Sequence, residues 1–377
     1  MQGKSLADHA AEPDVSIIAH IAAKRHALRS SLEDKVAIYL DTRFWIMVRE
    51  VRDGTSKRAD ERAIVGLLDK LVHTGRAFCP IAEPTLLELM KQGNVEQRRK
   101  TAAAIDDLSL GTAILPDTDR LPEEAADLLR SRAKTGKAAE FVPFWTRLPY
   151  ILGETYPANT PFPPAQERAI QKAFFDHMWE RSIVEVVDML DGDEYSQSEE
   201  RARAAEELNA SNAKHAHAMG SFAKVLEQEY HGVAQTIVER SPDLIRLFTP
   251  GGAEAPKECD FILVNGLREM LKRPVDAQLM PTAHVHAVIH ALFRWEYRSK
   301  PMTPNDLIDF RHAAAALSHC PILLTEAGLC KTLTHRRMSL AAVHGTIVMS
   351  DREEIAAYLA RLDSETSAKA KEYKFRA

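Results

Sequence analysis

Apolar residues change their spacing repeatedly along this chain, and the changes outline its elements. PDVSIIAHIAAKRHALRSSLED, residues 13–34, carries them at helical intervals and predicts an amphipathic helix. Val36 to Leu40 is instead a short unbroken β-type run ending at an acid, Asp41, within KVAIYLDTRFWIMVREV. Helical spacing returns from Arg58 to Gly75, where a glycine marks the stop. RAFCPIAEP reads as a second strand, and Pro84, suited to a first helical turn, opens the helix PTLLELMKQGN. GTAILP gives a third strand, and LPEEAADLLRSRAKTG a helix closed by Gly136. The order β-α-β-α-β-α predicts a parallel sheet with crossover helices.

The pattern changes near Lys137. VPFWTRLPYILGETYPANTPFPP, rich in proline and aromatics, is expected to be an irregular connection. Residues 165–240 and 258–298 read as helices around a TPGGAEAPKE loop, with ERARAAEELNASNAKHAHA a solvated helix face. Alternation of helix and strand resumes near Pro301. TPNDLIDFRHAAAALSHC is a capped helix, PILLTE a buried strand, AGLCKTLTHRR a short helix, HGTIVMS a last strand and DREEIAAYLARL a last helix. The expected organisation is an N-terminal helix over 1–35, a discontinuous α/β domain over 36–136 and 301–362, a helical insertion over 137–300 and a polar tail over 363–377.

Composition narrows the classes. With 377 residues, 45% hydrophobic and 27% charged, the chain is ordinary for a globular protein with a sizeable core. No stretch approaches the roughly 18 uninterrupted apolar residues of a membrane helix. The start, MQGKSLADHAAEPD, lacks the basic and apolar regions of a signal peptide, and Cys79, Cys259, Cys320 and Cys330 form no C-x-x-C pair. A cytoplasmic protein with neither a zinc ribbon nor a disulfide frame is expected. A net charge of −5 argues against coating nucleic acid through a global positive field, while leaving local capture of a strand open.

Candidate chemistry lies in the acids. Ligands of open α/β sheets gather at the carboxyl ends of strands, and Asp41, Glu88, Asp309 and Glu326 fall where such ends are expected. Carboxylates brought within ~4 Å of each other repel by roughly 4 kcal/mol per pair at an effective dielectric near 20, so a cluster calls for protons, a base or divalent cations. Carboxylate oxygens suit Mg²⁺ or Mn²⁺, and a metal pair can activate water against a phosphodiester. Asp306 has two readings. With Thr303 and Pro304 it fits a capping box, and its i,i+3 spacing also sets it on the face of Asp309. His286 and His290, four apart, lack the glutamate of H-E-x-x-H and any evident third ligand, so packed or solvent-facing rings are expected. His215 and His217 point to different faces. No nucleophile elbow, phosphate-binding glycine loop or dinucleotide fingerprint is present.

YLDTRFWI, the LLEL around Glu88 and DFRHAAAALSHCPILLTE together resemble the three signature segments of PIN-domain nucleases, a family that includes the toxin ribonucleases of toxin–antitoxin pairs. GTAILPDTDRLPEEAADLL and HGTIVMSDREEIAAYL are similar to further family elements, so the resemblance spans about residues 36–135 and 301–360. It implies a three-layer α/β/α domain with a parallel sheet in the order 3-2-1-4-5, and Mg²⁺- or Mn²⁺-dependent cleavage of single-stranded RNA. A protein regulator of antitoxin type and a second copy of the chain are implied as partners. Carried over by position, Asp41 is the central metal ligand, Glu88 and Asp309 complete the first site, and Glu326, with Asp306, supports a second ion. Arg43, Arg311 and His312 are the implied phosphate contacts. Two departures favour an alternative, a PIN-like scaffold with a degraded acidic site that binds protein or RNA: Arg43 stands where asparagine or serine is common, and the last acid precedes its usual place at Ala327. The insertion far exceeds that of the compact toxins, so their substrate and partner preferences do not carry over.

Overall fold

The computed structural model describes residues 4–132, 143–190, 197–215, 220–241, 244, 258–297 and 300–365. They divide between two compact units, one comprising Met1–Pro116, Val142–Glu194 and Asp351–Ala377, the other Asp117–Phe141 and Tyr195–Ser350. Among the described residues, no helix is long and apolar enough to cross a membrane.

The first unit begins with α1 (Leu6–Ala10), α2 (Ile17–Leu32) and β1 (Val36–Leu40). All five residues of β1 are buried, as its unbroken apolar run requires. The chain then turns at Asp41, whose carboxylate accepts the Phe44 N–H at 3.3 Å and caps α3 (Thr42–Arg52). The expected elements pass directly from the strand ending at Asp41 to the helix from Arg58. Phe44, Trp45, Met47 and Val48 instead form the buried face of a helix. α4 (Ala59–His73) ends as expected before Gly75, which has φ +71°. β2 (Ala77–Phe78) pairs parallel with β1, Val36 opposite Ala77.

Then follow α5 (Glu83–Met90), with Pro84 in its first turn, and α6 (Val95–Ser109). α6 was not anticipated either. Asn94 caps it by accepting the Gln97 N–H at 3.0 Å, and Ala102, Ile105 and Leu108 bury one stripe. β3 (Thr112–Ile114) departs from the expected all-parallel sheet. It runs antiparallel to β4 (Trp145–Arg147), a strand inside the segment expected to be irregular. Trp145 packs edge-on against Phe78, and the Arg147 guanidinium lies over Gly111, whose φ of +70° favours glycine. The parallel link of β3 is one bridge, Ile81 to Ala113, with the Ile114 N–H donating to the Ile81 carbonyl at 2.8 Å.

The rest of the first unit is helical. α7 (Asp117–Arg132) belongs to the second unit, but α8 (Pro164–Trp179) and α9 (Ile183–Leu190), both within the expected insertion, group with the strands above. Asp106 of α6 explains part of this, since it accepts the Ile183 and Val184 N–H groups and so caps α9.

In the second unit lie α10 (Gln197–His215), α11 (Phe222–Arg240), α12 (Glu258–Leu271), α13 (Pro274–Leu279), α14 (Pro281–Glu296) and α15 (Pro304–His319). β5 (Ile322–Leu324), α16 (Ala327–Leu333), α17 (Leu340–His344) and β6 (Ile347–Met349) complete it. β5 and β6 pair parallel, Ile322 opposite Ile347. Leu121 and Leu128 of α7, Tyr230 and Ile237 of α11, Leu267 of α12 and Ala283 of α14 share one core. α10 is mostly exposed, as a solvated helix should be, whereas the TPGGAEAPKE loop and Gly136 lie outside the described residues, apart from Glu258 at the start of α12.

The last helix, α18 (Arg352–Ser364), returns to the first unit. Its start is held by Arg352 on Glu61 at 3.1 Å. At its other end, the Arg76 guanidinium takes the backbone carbonyls of Leu362, Asp363 and Glu365. Asp363 and Ser364, expected to open a polar tail, are thus still helical.

The class is α/β, mostly helical with parallel strand pairs. The two units run along other boundaries than the expected 36–136 plus 301–362 domain and 137–300 insertion. α7 and residues 301–350 group with α10 to α14, while α8 and α9 group with β1 to β4.

Candidate functional site

The first unit places two of the candidate acids near one another. Asp41, at the carboxyl end of β1, is buried and caps α3. The next residue, Thr42, donates its hydroxyl hydrogen to Oε2 of Glu88, which lies half-buried near the end of α5. One short stretch of backbone therefore orients both carboxylates. They sit beside the first turn of α3, where the helix dipole and free amides favour negative charge. Glu83 is the first residue of α5, and Arg43 is exposed on the first turn of α3.

The remaining candidates belong to the second unit. Asp309 is exposed on α15, one turn beyond Asp306. Glu326 precedes α16 at its N-cap position, exposed, and its side chain does not bond the helix amides. The Thr325 N–H donates to the Met349 carbonyl at 3.0 Å, which pins the chain at the end of β5 just before Glu326. His312 is buried, and Arg311 reaches Asp117 at 3.7 Å, so both implied phosphate contacts already face protein.

Asp306 forms the capping box that its sequence spelled out. Its Oδ2 accepts the Thr303 N–H at 2.8 Å and the Thr303 hydroxyl at 2.6 Å, while its own N–H donates to Thr303 Oγ1 at 3.2 Å. Its other oxygen lies 3.5 Å from Lys300 Nζ. These engagements give Asp306 a structural duty at the start of α15. Thr303→Ala is expected to lower stability by about 0.5–2 kcal/mol in a urea melt. The capping role fails if Thr303→Ala leaves the midpoint unmoved.

A buried polar network that the sequence reading missed links α7, α14 and α15. The Arg120 guanidinium bonds Asp117, the Thr282 hydroxyl at 2.8 Å, the Ala314 carbonyl at 3.2 Å and His319 Nε2 at 3.2 Å. His286 Nε2 lies 2.7 Å from Asp117. Burial raises the Asp117 carboxyl, but Arg120, His286 and Arg311 outweigh it and hold the group well below the usual range. Glu124 accepts the Thr282 N–H at 3.1 Å, capping α14. Burial pushes Glu124 up to about 7 against the pull of Arg120 and Thr282. His290 packs edge-on to Phe310 at 4.9 Å, so His286 and His290 are packed rings with separate partners. The signal was present in DTDRLPEEAADLL. Asp117, Arg120 and Glu124 follow one another at helical spacing beside Leu121, Ala125 and Leu128, placing charge next to a core stripe.

Among the described residues, three metal-type side chains with donor atoms within 4.8 Å of one another occur at His9, His20 and Asp176, a group the sequence reading did not name. His9 and Asp176 are 167 residues apart, so no spacing rule could pair them. No family model, curated protein or solved structure matches the chain.

Proposed function

We propose that the chain is a metal-dependent endoribonuclease of PIN-like type that cleaves single-stranded RNA. The observation carrying this reading is the pair Asp41 and Glu88, joined through Thr42 at the carboxyl end of β1. The strand pairings of each unit support it too. β1 pairs with β2, and the segment after β2 bridges to β3, in keeping with a 3-2-1 half. β5 pairs with β6, in keeping with a 4-5 half.

The donor set fits a hard cation. Carboxylate and hydroxyl oxygens at a half-buried position suit Mg²⁺ or Mn²⁺, and Asp41 and Glu88 would hold it. Such an ion supplies an acidified water and charge neutralisation at phosphodiester oxygens. The chain's own work is positioning. Thr42 fixes the Glu88 carboxylate, β1 and α3 fix Asp41, and the exposed Arg43 offers a cation to a passing phosphate. From the second unit, the resemblance assigns Asp309 and Glu326 to the same chemistry. A protein regulator of antitoxin type and a cytoplasmic setting accompany this reading.

The second reading, a scaffold without activity, draws on the helix-capping duty of Asp306 and the cation at Arg43. One assay separates them. Purified protein is incubated with end-labelled single-stranded RNA, duplex RNA and single-stranded DNA, in Mn²⁺ or in chelator. Endonucleolytic cuts in the single-stranded RNA alone, dependent on Mn²⁺, are expected. Binding at 100 times Kd also stabilises the fold by about 2.7 kcal/mol, visible as a shifted melt. Neither cleavage nor a shift at millimolar Mn²⁺ would leave the scaffold reading standing.

A further inference from the structure

We propose that His9, His20 and Asp176 form a transition-metal site of zinc type within the first unit, with Lys24 closing it when no metal is bound. The proposal is independent of the acid pair at Asp41 and Glu88.

Three helices supply the donors: His9 from α1, His20 from α2 and Asp176 from α8. His9 Nε2 lies 3.2 Å from Asp176 Oδ2, and His20 Nε2 lies 2.7 Å from Oδ1 of the same carboxylate. Around a tetrahedral ion with bonds of about 2.0–2.1 Å, neighbouring donor atoms sit roughly 3.3–3.4 Å apart. Each ring nitrogen, at 3.2 and 2.7 Å from its own carboxylate oxygen, is thus within about 0.7 Å of that spacing. Two imidazoles and one carboxylate are the donors zinc favours over Mg²⁺, and they leave a fourth position for water or a ligand.

The surroundings resemble a prepared site. Side-chain exposure is 0% for His9 and 2% for Asp176, rising to 13% for His20 and 25% for Lys24, so the cluster opens on one side. The His9 and His20 rings meet edge to face at 5.1 Å, and His20 rests against Phe175, itself stacked on Tyr150. Lys172 is fully buried and donates to the carbonyls of Glu12 at 2.7 Å and His9 at 3.4 Å, clasping α1 onto α8. Its ammonium is thereby spent on backbone and leaves the carboxylate to the histidines and Lys24.

His9 Nδ1 is buried without a partner, so Nε2, facing Asp176, is the ring nitrogen that the cluster engages.

Lys24 Nζ stands 3.0 Å from Asp176 Oδ1, where it neutralises the acid as a metal would. Being partly exposed, it can swing into solvent when an ion takes its place. This gives the site a signature that a purely structural network lacks: removing the cation should strengthen metal binding.

The test uses full-length protein stripped with chelator, with Co²⁺ as spectroscopic probe and Zn²⁺ as competitor. One equivalent of Co²⁺ is expected to produce the visible bands of a low-coordinate site, lost on adding Zn²⁺. Lys24→Met should tighten Co²⁺ binding at least ~10-fold. His20→Gln, which keeps a hydrogen-bond donor toward Asp176 but has no ring nitrogen, should abolish the bands while the far-UV spectrum stays native. The proposal is overturned if folded wild type and Lys24→Met both lack the bands, or if His20→Gln retains them. Mn²⁺-dependent RNA cleavage should be unchanged in His20→Gln, so failure here and failure of the nuclease reading are read separately.

Discussion

Asp41→Asn is expected to reduce Mn²⁺-dependent RNA cleavage by more than about 100-fold, since even outer-shell partners of a bound metal cost 10–100-fold when removed. The fold should be almost untouched. Asparagine is as good an N-cap as aspartate, so the amide oxygen can still accept the Phe44 N–H that Asp41 accepts at 3.3 Å. Asp41→Ala would confuse the two effects, because it also loses the cap at about 0.5–2 kcal/mol. Thr42→Val provides the intermediate case. It releases Glu88 from its hydroxyl partner and should cost ~10–100-fold, with Mn²⁺ affinity falling in parallel. Single-turnover cleavage and thermal melts on the three variants decide the matter, and full activity in Asp41→Asn would sink the site.

Stability of the second unit is expected to fall as pH drops below about 7, with one buried carboxyl opposing part of the loss. Burial lowers His284 to about 4 and His290 to about 3 from the ordinary 6.5, and takes His319 well below it. These rings stay neutral in the fold while the unfolded chain takes up protons below pH 6.5. Stability is therefore lost as pH falls through that window, by about 1.4 kcal/mol per pH unit for each ring. Glu124 acts in the opposite sense. Its folded carboxyl holds a proton up to about 7, whereas the unfolded one ionises near 4.5, so stability is lost as pH rises between those values. Between pH 4.5 and 7 the three histidines outweigh Glu124, and acid destabilises. Glu124→Gln keeps an oxygen for the Thr282 N–H and should remove the opposing contribution, worth about 3 kcal/mol over the full window, so the dependence on pH becomes steeper. Urea melts from pH 4.5 to 7.5 measure the slope. An unchanged slope in Glu124→Gln would show that the buried carboxyl does not oppose the histidines.

Local chemistry was legible in the sequence wherever a few neighbouring residues settle the outcome. Val36–Leu40 is a buried strand because five successive apolar residues demand cover on both faces. Thr303 and Asp306 make their capping box because each needs only a backbone amide three residues away. Gly75 stops α4 because its backbone takes the left-handed conformation freely. Asp41 at the end of its strand follows from the same short-range rules.

Other features needed partners that arrive from far along the chain. GTAILP was readable as a strand, but its antiparallel mate lay in a proline-rich segment whose strand character shows only once Trp145 meets Phe78. FWIMV could extend a strand or form a helix, and burial of Phe44, Trp45 and Val48 on one face decided for the helix. Arg120 is held by Thr282 and Ala314, 162 and 194 residues away, partners that no local pattern names. His9, His20 and Asp176 likewise became a cluster only through the docking of α1 and α2 on α8. The sequence by itself determined the strand ends, caps and helix stops, where the deciding energies act within one turn. Tertiary structure alone decided strand pairing, buried charge and the histidine cluster, because a desolvated polar group is stable only beside a partner that local sequence does not name.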